Sequence, residues 1–395
     1  MRCFSRDLFL TILLPLVGSL SVAGSADPNL GRQFKSEEQS ALQVVRSAVK
    51  NSRVMILALT SHRTFSHYEL LEQVLREEET VSDLRAIAFE RPSEMGTLYS
   101  QLLANISPSF RQDQSQELQE LMLYCGGPDV SYEIRHFHPL LRMLNHHRAP
   151  AAAIRLTSFD GLPLSTNLVL QQRLKDHRPY DVDLDCAGAS TEAAASIKEE
   201  GAFAAPLLSE DREERTAANF ERQVWGLLQG KGKAIVVNHL AHVIKGYESC
   251  QFSKETEEKW MAKWSTSGWL ERFFVKHPEA RGLISTVVLD RRDRDNPGGA
   301  LRLSTQLRPL AEPGGWGIDL KPFLPLLNAN ELFNEMSFFG DYLAGFHRPM
   351  KNGRLFADAL IWNDSAPDEK KFGKMEDYLP AQCKDAAIRF LRLLK

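Results

Sequence analysis

The chain has 395 residues, of which 43% are hydrophobic, and this is enough apolar material for a sizeable core in one large domain or two smaller ones. Its 48 basic residues nearly balance its 51 acidic residues, which leaves a formal net charge of −3. This balance provides no basic surface for nucleic acid, so we expect no nucleic-acid partner.

The first 26 residues have the three parts of a secretory signal peptide. Arg2 and Arg6 supply positive charge, an apolar run follows over 8–17, and small residues up to Ala26 offer a cleavage site. The apolar run is too short to cross a bilayer, and Pro15 interrupts it. We therefore expect cleavage, no stable membrane span afterwards, and a mature chain that is secreted or periplasmic.

Four of the five cysteines lie beyond the signal segment, and no two of them are closely spaced: Cys125, Cys186, Cys250 and Cys383. The absence of a Cys-x-x-Cys pair excludes a zinc knuckle and a thioredoxin-type motif. In an oxidising compartment these cysteines allow three disulfide pairings, and the spacing does not choose among them. Buried free thiols are the alternative.

Capping motifs and apolar runs predict alternating helices and strands in the first part of the chain. A capping box at 36–39 (SEEQ) predicts the start of a helix, and the wholly apolar run 54–59 predicts a strand buried on both faces. A second capping box at 66–69 opens a helix, and 84–89 predicts the next strand. A strand, a helix and a strand in this order predict a parallel, right-handed βαβ crossover.

The remaining strands are unevenly spaced, and this favours an open sheet over an eightfold barrel. Strands are predicted at 152–156, 234–237, 283–289 and 360–362, and helices at 95–103, 134–144, 220–228 and 386–394. We therefore predict an α/β fold with an open, mostly parallel sheet flanked by helices. Residues 27–395 would form this single domain, with helical insertions around 93–150 and 164–230. The oligomeric state is left open.

Four of the predicted strands run directly into an ionisable residue at the carboxyl end. His62 follows the first strand, Glu90 the second and Asp160 the third, while His239 and His242 follow the fourth. The carboxyl ends of parallel strands share one edge of a sheet, where ligands bind, and histidine changes its protonation near neutral pH. We predict that these five residues converge on one crevice; the alternative is that they are unconnected polar residues of loops.

A further histidine, His67, lies in the first turn of the second capped helix, where Glu69 has a local role in the cap. The positive end of the helix dipole would keep His67 neutral. We include it among the candidate substrate-binding residues, together with His239 and Asp160.

Taken in chain order, these motifs resemble those of the erythromycin esterase-like proteins, a group related to ChaN-type haem-uptake lipoproteins and to Tiki-type or TraB-type metalloproteases. His62 matches the histidine of the family motif Gly-Glu-x-x-His, and Glu90 matches the glutamate at the end of the second strand. The segment 239–243 (HLAHV) is similar to His-Asn-x-His-Val, and 154–160 (IRLTSFD) to a strand that ends in Gly-Phe-Asp.

The chain departs from the family pattern in two places. Ala58, Leu59 and Thr60 occupy the stretch in which the family has Gly-Glu, and Leu240 stands in place of the motif asparagine. One of the two glutamates of the family's active site is therefore absent, so macrolide-esterase activity does not follow from the resemblance.

The resemblance implies a hydrolase that acts on an ester, lactone or related bond of a small molecule, with no cofactor expected. His62 would be the general base on water, Glu90 would hold the protonation state of His62, and His242 would polarise or protonate the developing oxyanion. One alternative is a metal-dependent hydrolase in which His62, Glu90 and His242 hold a divalent ion. A second is an inactive protein of the same fold that binds haem or another ligand, which the missing Gly-Glu favours.

Overall fold

The computed structural model describes residues 28–60, 66–93, 96, 137–161, 209–228, 232–243, 268–290, 307, 311, 315–323 and 357–363. In this part of the chain, seven strands form one sheet: β1 Val54–Leu59, β2 Leu84–Pro92, β3 Arg155–Asp160, β4 Lys233–His239, β5 Ile284–Asp290, β6 Gly315–Asp319 and β7 Ala359–Asn363. Their order is β3-β2-β4-β1-β5-β7-β6. All neighbouring strands are parallel except β6 and β7, so the predicted open, mostly parallel sheet is confirmed.

Helices flank the sheet on both faces. Their bounds are α1 Pro28–Glu37, α2 Ala41–Asn51, α3 Ser66–Leu75, α4 Glu78–Val81, α5 His138–Asn145, α6 Ser209–Gln223, α7 Leu240–Val243 and α8 Trp269–Lys276. One face is covered by α2, α3 and α5, which share a core with every second residue of the central strands. The opposite face is covered by α1, α6, α7 and α8.

The first strand shows how the sheet separates two cores. Met55, Leu57 and Leu59 belong to the core under α2 and α3. Val54, Ile56 and Ala58 belong to the core under α6 and α8. All six residues of β1 are buried, because a central parallel strand with helices on both faces has no side that meets water. This burial on both faces is the reason why the sequence of β1 is a continuous apolar run.

The fourth strand lies between the first two. Ala234 of β4 pairs with Val54 of β1 on one side and with Ala86 of β2 on the other. The chain therefore leaves β1, passes through α3 to β2, continues to β3, and returns through α6 to place β4 in the gap. As a result, the carboxyl ends of β3, β2 and β4 lie next to one another at one edge of the sheet.

The predicted helix start at Ser36 is wrong. Ser36 lies in the last turn of α1, where its hydroxyl donates to the carbonyl of Gln33 (2.8 Å). The next helix begins after Ser40, whose Oγ accepts the N–H of Gln43 (3.2 Å). Between the two helices, Gln39 forms an antiparallel bridge with Gly317 through two backbone hydrogen bonds of 2.8 and 2.9 Å. This bridge requires an extended residue at 39 and so interrupts the helix.

Other element bounds also differ from the sequence prediction. The third strand begins at Arg155, because residues Pro150–Ala152 form a 3₁₀ turn. The helix predicted over 220–228 ends at Gln223 and is followed by a 3₁₀ turn. The edge strand β6 was not predicted. The predicted signal peptide, the helix at 386–394, the helix at 95–103 apart from residue 96, and the four cysteines lie outside the described residues. In the described part of the chain, no helix has the length and apolar character of a bilayer span.

Candidate functional site

Four of the residues predicted to converge lie at the edge formed by the ends of β2, β3 and β4. Glu90 lies near the end of β2, Asp160 is the last residue of β3, and His239 is the last residue of β4. His242 follows on the short helix α7. Asp160, His239 and His242 are buried, and the Glu90 side chain is only 8% exposed. This edge is therefore a desolvated cluster of charged groups.

Arg212 of α6 joins two of these strand ends. Its Nε and Nη2 donate to the two oxygens of Asp160, each at 2.9 Å, and Nη2 also lies 3.1 Å from Oε1 of Glu90. Such a fork holds a carboxylate in a fixed plane. Burial lowers the pKa of Arg212, but the neighbouring carboxylates outweigh burial, so the pKa lies above its ordinary value. Arg212 is therefore a permanent cation at the centre of the cluster.

Glu90 is held from both of its oxygens. Oε2 accepts the backbone N–H of His239 at 2.6 Å. Oε1 is shared between Arg212 and Nε2 of His242, which lies 3.4 Å away. The carboxylate therefore links the end of β2 to the end of β4 and also contacts the imidazole.

His242 lies between two carboxylates. Its Nδ1 is 2.6 Å from Oε1 of Glu213, on the opposite side of the ring from Glu90. Burial lowers the pKa of His242, but Glu213 and Glu90 together outweigh burial and the repulsion from Arg212. The pKa of His242 therefore lies above its ordinary value. This places His242 in the charged form over a wider pH range than a free histidine and makes it suited to donate a proton.

Two glycines let the helices approach this cluster. A Cβ at Gly268 would lie 2.2 Å from the carbonyl oxygen of His242, and a Cβ at Gly161 would lie 2.4 Å from the carbonyl oxygen of Arg212. Both contacts are with backbone and could not be relieved by a side-chain rotation. Thr216 completes the second contact, because its hydroxyl accepts the N–H of Gly161 and donates to the carbonyl of Arg212 (both 2.8 Å).

An aromatic cluster adjoins the charged groups, since Phe159 precedes Asp160 in β3 and the N–H of Trp269 donates to Glu213. The Trp269 ring centroid is 4.7 Å from that of Phe220 and 5.3 Å from that of Phe159. All three side chains are fully buried. Buried apolar side chains lower the local dielectric constant, and the electrostatic interactions next to them are stronger as a result.

The sequence analysis missed Arg212 and Glu213. A signal for Glu213 was present, since Glu213 continues the stripe of Ala217, Phe220 and Val224, which recurs at helical spacing and is buried in the structure. A charged residue on the apolar stripe of a helix indicates a buried partner. The segment around Glu213 is rich in charge, and this obscures the stripe in the sequence.

Asp290 was also missed. It ends β5 in the same way that Asp160 ends β3, and it is fully buried. Its Oδ1 accepts the hydroxyl of Thr60, which follows β1, at 2.9 Å. The polar edge of the sheet therefore continues past β4 to β1 and β5, toward the point in the sequence where His62 occurs.

The other predicted residues have different positions. The His239 ring is buried with its centroid 6.1 Å from that of His242, while its backbone N–H holds Glu90. His67 is buried in the first turn of α3, with its ring centroid 4.0 Å from that of Tyr68. His62 lies outside the described residues. The catalytic and substrate-binding roles of all these residues stay predictions.

Within the described ranges, no group of three or more His, Cys, Asp or Glu side chains has the arrangement of a metal site. The metal set predicted under the alternative hypothesis includes His62, which is not among those residues. That set therefore also stays a prediction.

A solved structure of a protein from Bacillus cereus is similar to the chain with a TM-score of 0.50, at 10% sequence identity, over 85% of this chain and 96% of the other. The two share a fold. An erythromycin esterase variant in its open conformation is similar with a TM-score of 0.45 at 10% identity, over 85% and 95% of the two chains. ChaN of Campylobacter jejuni, in a structure of cofacial haem binding, has a TM-score of 0.30 at 8% identity, over 65% and 88%.

Two groups to which the sequence motifs pointed, the erythromycin esterases and ChaN, are thus among the solved structures similar to this chain. No protein-family model and no curated protein sequence matches it. At 10% identity the likeness to the Bacillus cereus protein concerns the fold alone, and the argument about activity depends on the residues of the site.

Proposed function

We propose that the chain is a hydrolase of small molecules in which a histidine activates water against an ester, lactone or related bond. The contact between His242 and Glu90 carries this proposal. Nε2 of His242 lies 3.4 Å from Oε1 of Glu90, and the two side chains are each only 8% exposed. A buried imidazole with a raised pKa is suited to give a proton to an oxyanion as the tetrahedral intermediate forms.

The role of general base falls to His62, which comes two residues after Thr60 in the sequence. Leu59, at the end of β1, pairs in register with His239 at the end of β4. Thr60 is joined to the same edge through Asp290. These contacts hold Thr60, which precedes His62 by two residues in the sequence, at the edge that carries His242. An acid and a base on adjacent strand ends could serve opposite sides of one carbonyl group.

The test is hydrolysis by the purified protein of a panel of p-nitrophenyl esters and simple lactones. We expect His62→Ala and His242→Gln to lower kcat/KM by about 10²–10⁴-fold, because each removes one proton-transfer group. His277→Gln is the matched control, since His277 lies at the surface end of α8 and pairs there with Glu221 and Glu279. Its kcat/KM should equal that of the wild type.

Unchanged hydrolysis in His62→Ala would contradict the proposal. Stoichiometric metal in the purified protein that is lost on His62→Ala would favour the metal-dependent alternative. A Soret band on addition of haem, with no hydrolysis of any ester, would favour the binding protein.

We also propose that residues 1–26 direct export and are removed. Expression in a bacterial host followed by N-terminal sequencing of the chain recovered from the periplasm or medium tests this. We expect the mature chain to begin at Gly24 or Asp27, after one of the small-residue sites. A chain that keeps its first 26 residues wherever it is found would contradict export by cleavage.

A further inference from the structure

The carboxylate of Glu213 has a well-defined partner at each oxygen. Oε1 lies 2.6 Å from Nδ1 of His242, and Oε2 accepts the backbone N–H of Trp269 at 2.7 Å. The side chains of Glu213 and His242 are 7% and 8% exposed. Hydrogen bonds of this length to an ionised group are among the strongest in proteins. Glu213 thus connects the imidazole to α8 inside the molecule.

The anchor on α8 is rigid. Trp269 is the first residue of that helix, and the N–H groups of a first helical turn have no acceptor within their own helix. The helix dipole also favours a carboxylate at this position. The Trp269 ring is packed against Phe220, which belongs to the same helix as Glu213. A rotation of Glu213 away from His242 would leave a buried N–H without its acceptor.

This anchor fixes the orientation of the imidazole. An ionised carboxylate can only accept, so the hydrogen between Glu213 and His242 belongs to Nδ1. Nε2 is then the nitrogen that faces Glu90. Turning the ring over would break the shorter of its two carboxylate contacts. The backbone is fixed as well, because Gly268 lets α8 lie directly against the carbonyl of His242.

We propose that Glu213 is the positioning residue for His242, holding Nδ1 toward α6 so that Nε2 is presented to Glu90 and to a bound substrate. The catalytic part of this inference rests on the proposed function; the orientation of the ring does not. Glu213 is not itself in contact with the reacting atoms. Its effect passes through His242, as the carboxylate of a serine protease triad acts through its histidine.

The neighbouring Glu214 provides a matched control. It has the same charge and lies on the same helix, but it is exposed and forms ion pairs with Lys276 and Arg272 of α8. Glu214 therefore also joins α6 to α8, without touching His242. If a carboxylate served only to join these two helices, Glu214→Gln would change the His242 signals and the activity as well. If Glu213 positions the imidazole, only Glu213→Gln should change them.

The experiment is ¹⁵N and ¹H NMR of the full chain labelled at histidine, with the His242 signals assigned by their loss in His242→Gln. We expect a protonated Nδ1 with a low-field proton in the wild type and in Glu214→Gln, and loss or a large upfield shift of that proton in Glu213→Gln. On an ester that the wild type hydrolyses, Glu213→Gln should lower kcat at least about 10-fold with little change in KM.

An unprotonated Nδ1 in the wild type would overturn the proposal without any variant, so the test does not depend on the folding of Glu213→Gln. The same conclusion follows if a folded Glu213→Gln keeps the wild-type signal. The two proposals fail separately. A protein with no hydrolytic activity but with the expected Nδ1 signals would refute the proposed function alone, and an active protein with an unprotonated Nδ1 would refute the positioning role alone.

Discussion

Arg212→Met should lower the free energy of unfolding by about 3–5 kcal/mol, because it leaves two buried carboxylates without the cation that compensates them. Asp160 loses a bidentate partner, and Glu90 loses one of the three groups that contact it in the described part of the chain. Methionine fills much of the volume of the arginine stem, so the loss reports the charge and its hydrogen bonds rather than a cavity. Urea denaturation followed by fluorescence measures the change.

Arg222→Met is the control for this experiment. Arg222 lies on the same helix, is part of its outer surface, and donates to Asn219 at 3.2 Å. Its replacement should change the unfolding free energy by no more than about 0.5 kcal/mol. Adding Asp160→Asn to Arg212→Met should recover part of the loss, because it removes one of the two carboxylate charges that Arg212 compensates. Equal stability of Arg212→Met and the wild type would show that the buried cluster does not need its cation.

The second large effect is expected from Gly268→Ala. The added Cβ would lie 2.2 Å from the carbonyl oxygen of His242 and 2.7 Å from its carbonyl carbon. Because both are backbone atoms, α8 and α7 must separate, and the contact between Glu213 and His242 lengthens as they do. Gly268 has a φ of −65°, which any residue can adopt, so the cost is steric and not conformational. We expect a loss of stability of about 1–3 kcal/mol.

Gly282→Ala tests the specificity of that effect. No atom of the described residues lies within 4 Å of a Cβ at Gly282, so the substitution should change stability by less than about 0.5 kcal/mol. Thermal unfolding of both variants under the same conditions makes the comparison. Similar midpoints for Gly268→Ala and the wild type would mean that α7 and α8 separate without cost, and that the close contact is not needed to hold His242.

The central strands could be predicted from the sequence, because their surroundings leave a strong local signal. Every residue of β1 is buried, and the run Val54–Leu59 contains no polar residue. The edge strand β6 has no such signal. It contains two glycines in five residues, and its place is determined by backbone pairing with β7, which is remote in sequence. A strand held mainly by its partner cannot be recognised from its own composition.

The wrong helix start shows a related limit. Ser36 and Ser40 are both followed by helix-forming residues, and the choice between them is decided by the bridge from Gln39 to Gly317. That contact joins residues almost 280 positions apart, and no local pattern could reveal it. A local motif identifies where a helix can begin, while tertiary pairing decides where it does.

The candidate site divides in the same way. Glu90, Asp160 and His242 were predicted because each follows an apolar strand, and the structure brings these three side chains together around Arg212. Arg212 and Glu213 escaped prediction because they reach the site from a crossover helix, where a charged residue is usually solvated. Residues at the carboxyl ends of parallel strands all lie at the same edge of the sheet, and this edge is known once the strands are predicted. A residue on a helix can face any side of that helix, so its position relative to the site is not known from the sequence.

The position of β4 also has a consequence for the order in which the sheet can form as the chain emerges during synthesis or export. β1 has both of its neighbours, β4 and β5, later in the chain, and β2 meets β4 on its inner side. Until residue 239 has emerged, two apolar strands present open edges that invite pairing with other chains. Closing this gap is also the step that withdraws Glu90 from water, since its partners His239 and His242 arrive with the incoming strand. Joining β1 to β2 and burying Glu90 therefore belong to one event, while the other edge of β1 stays open until β5 follows.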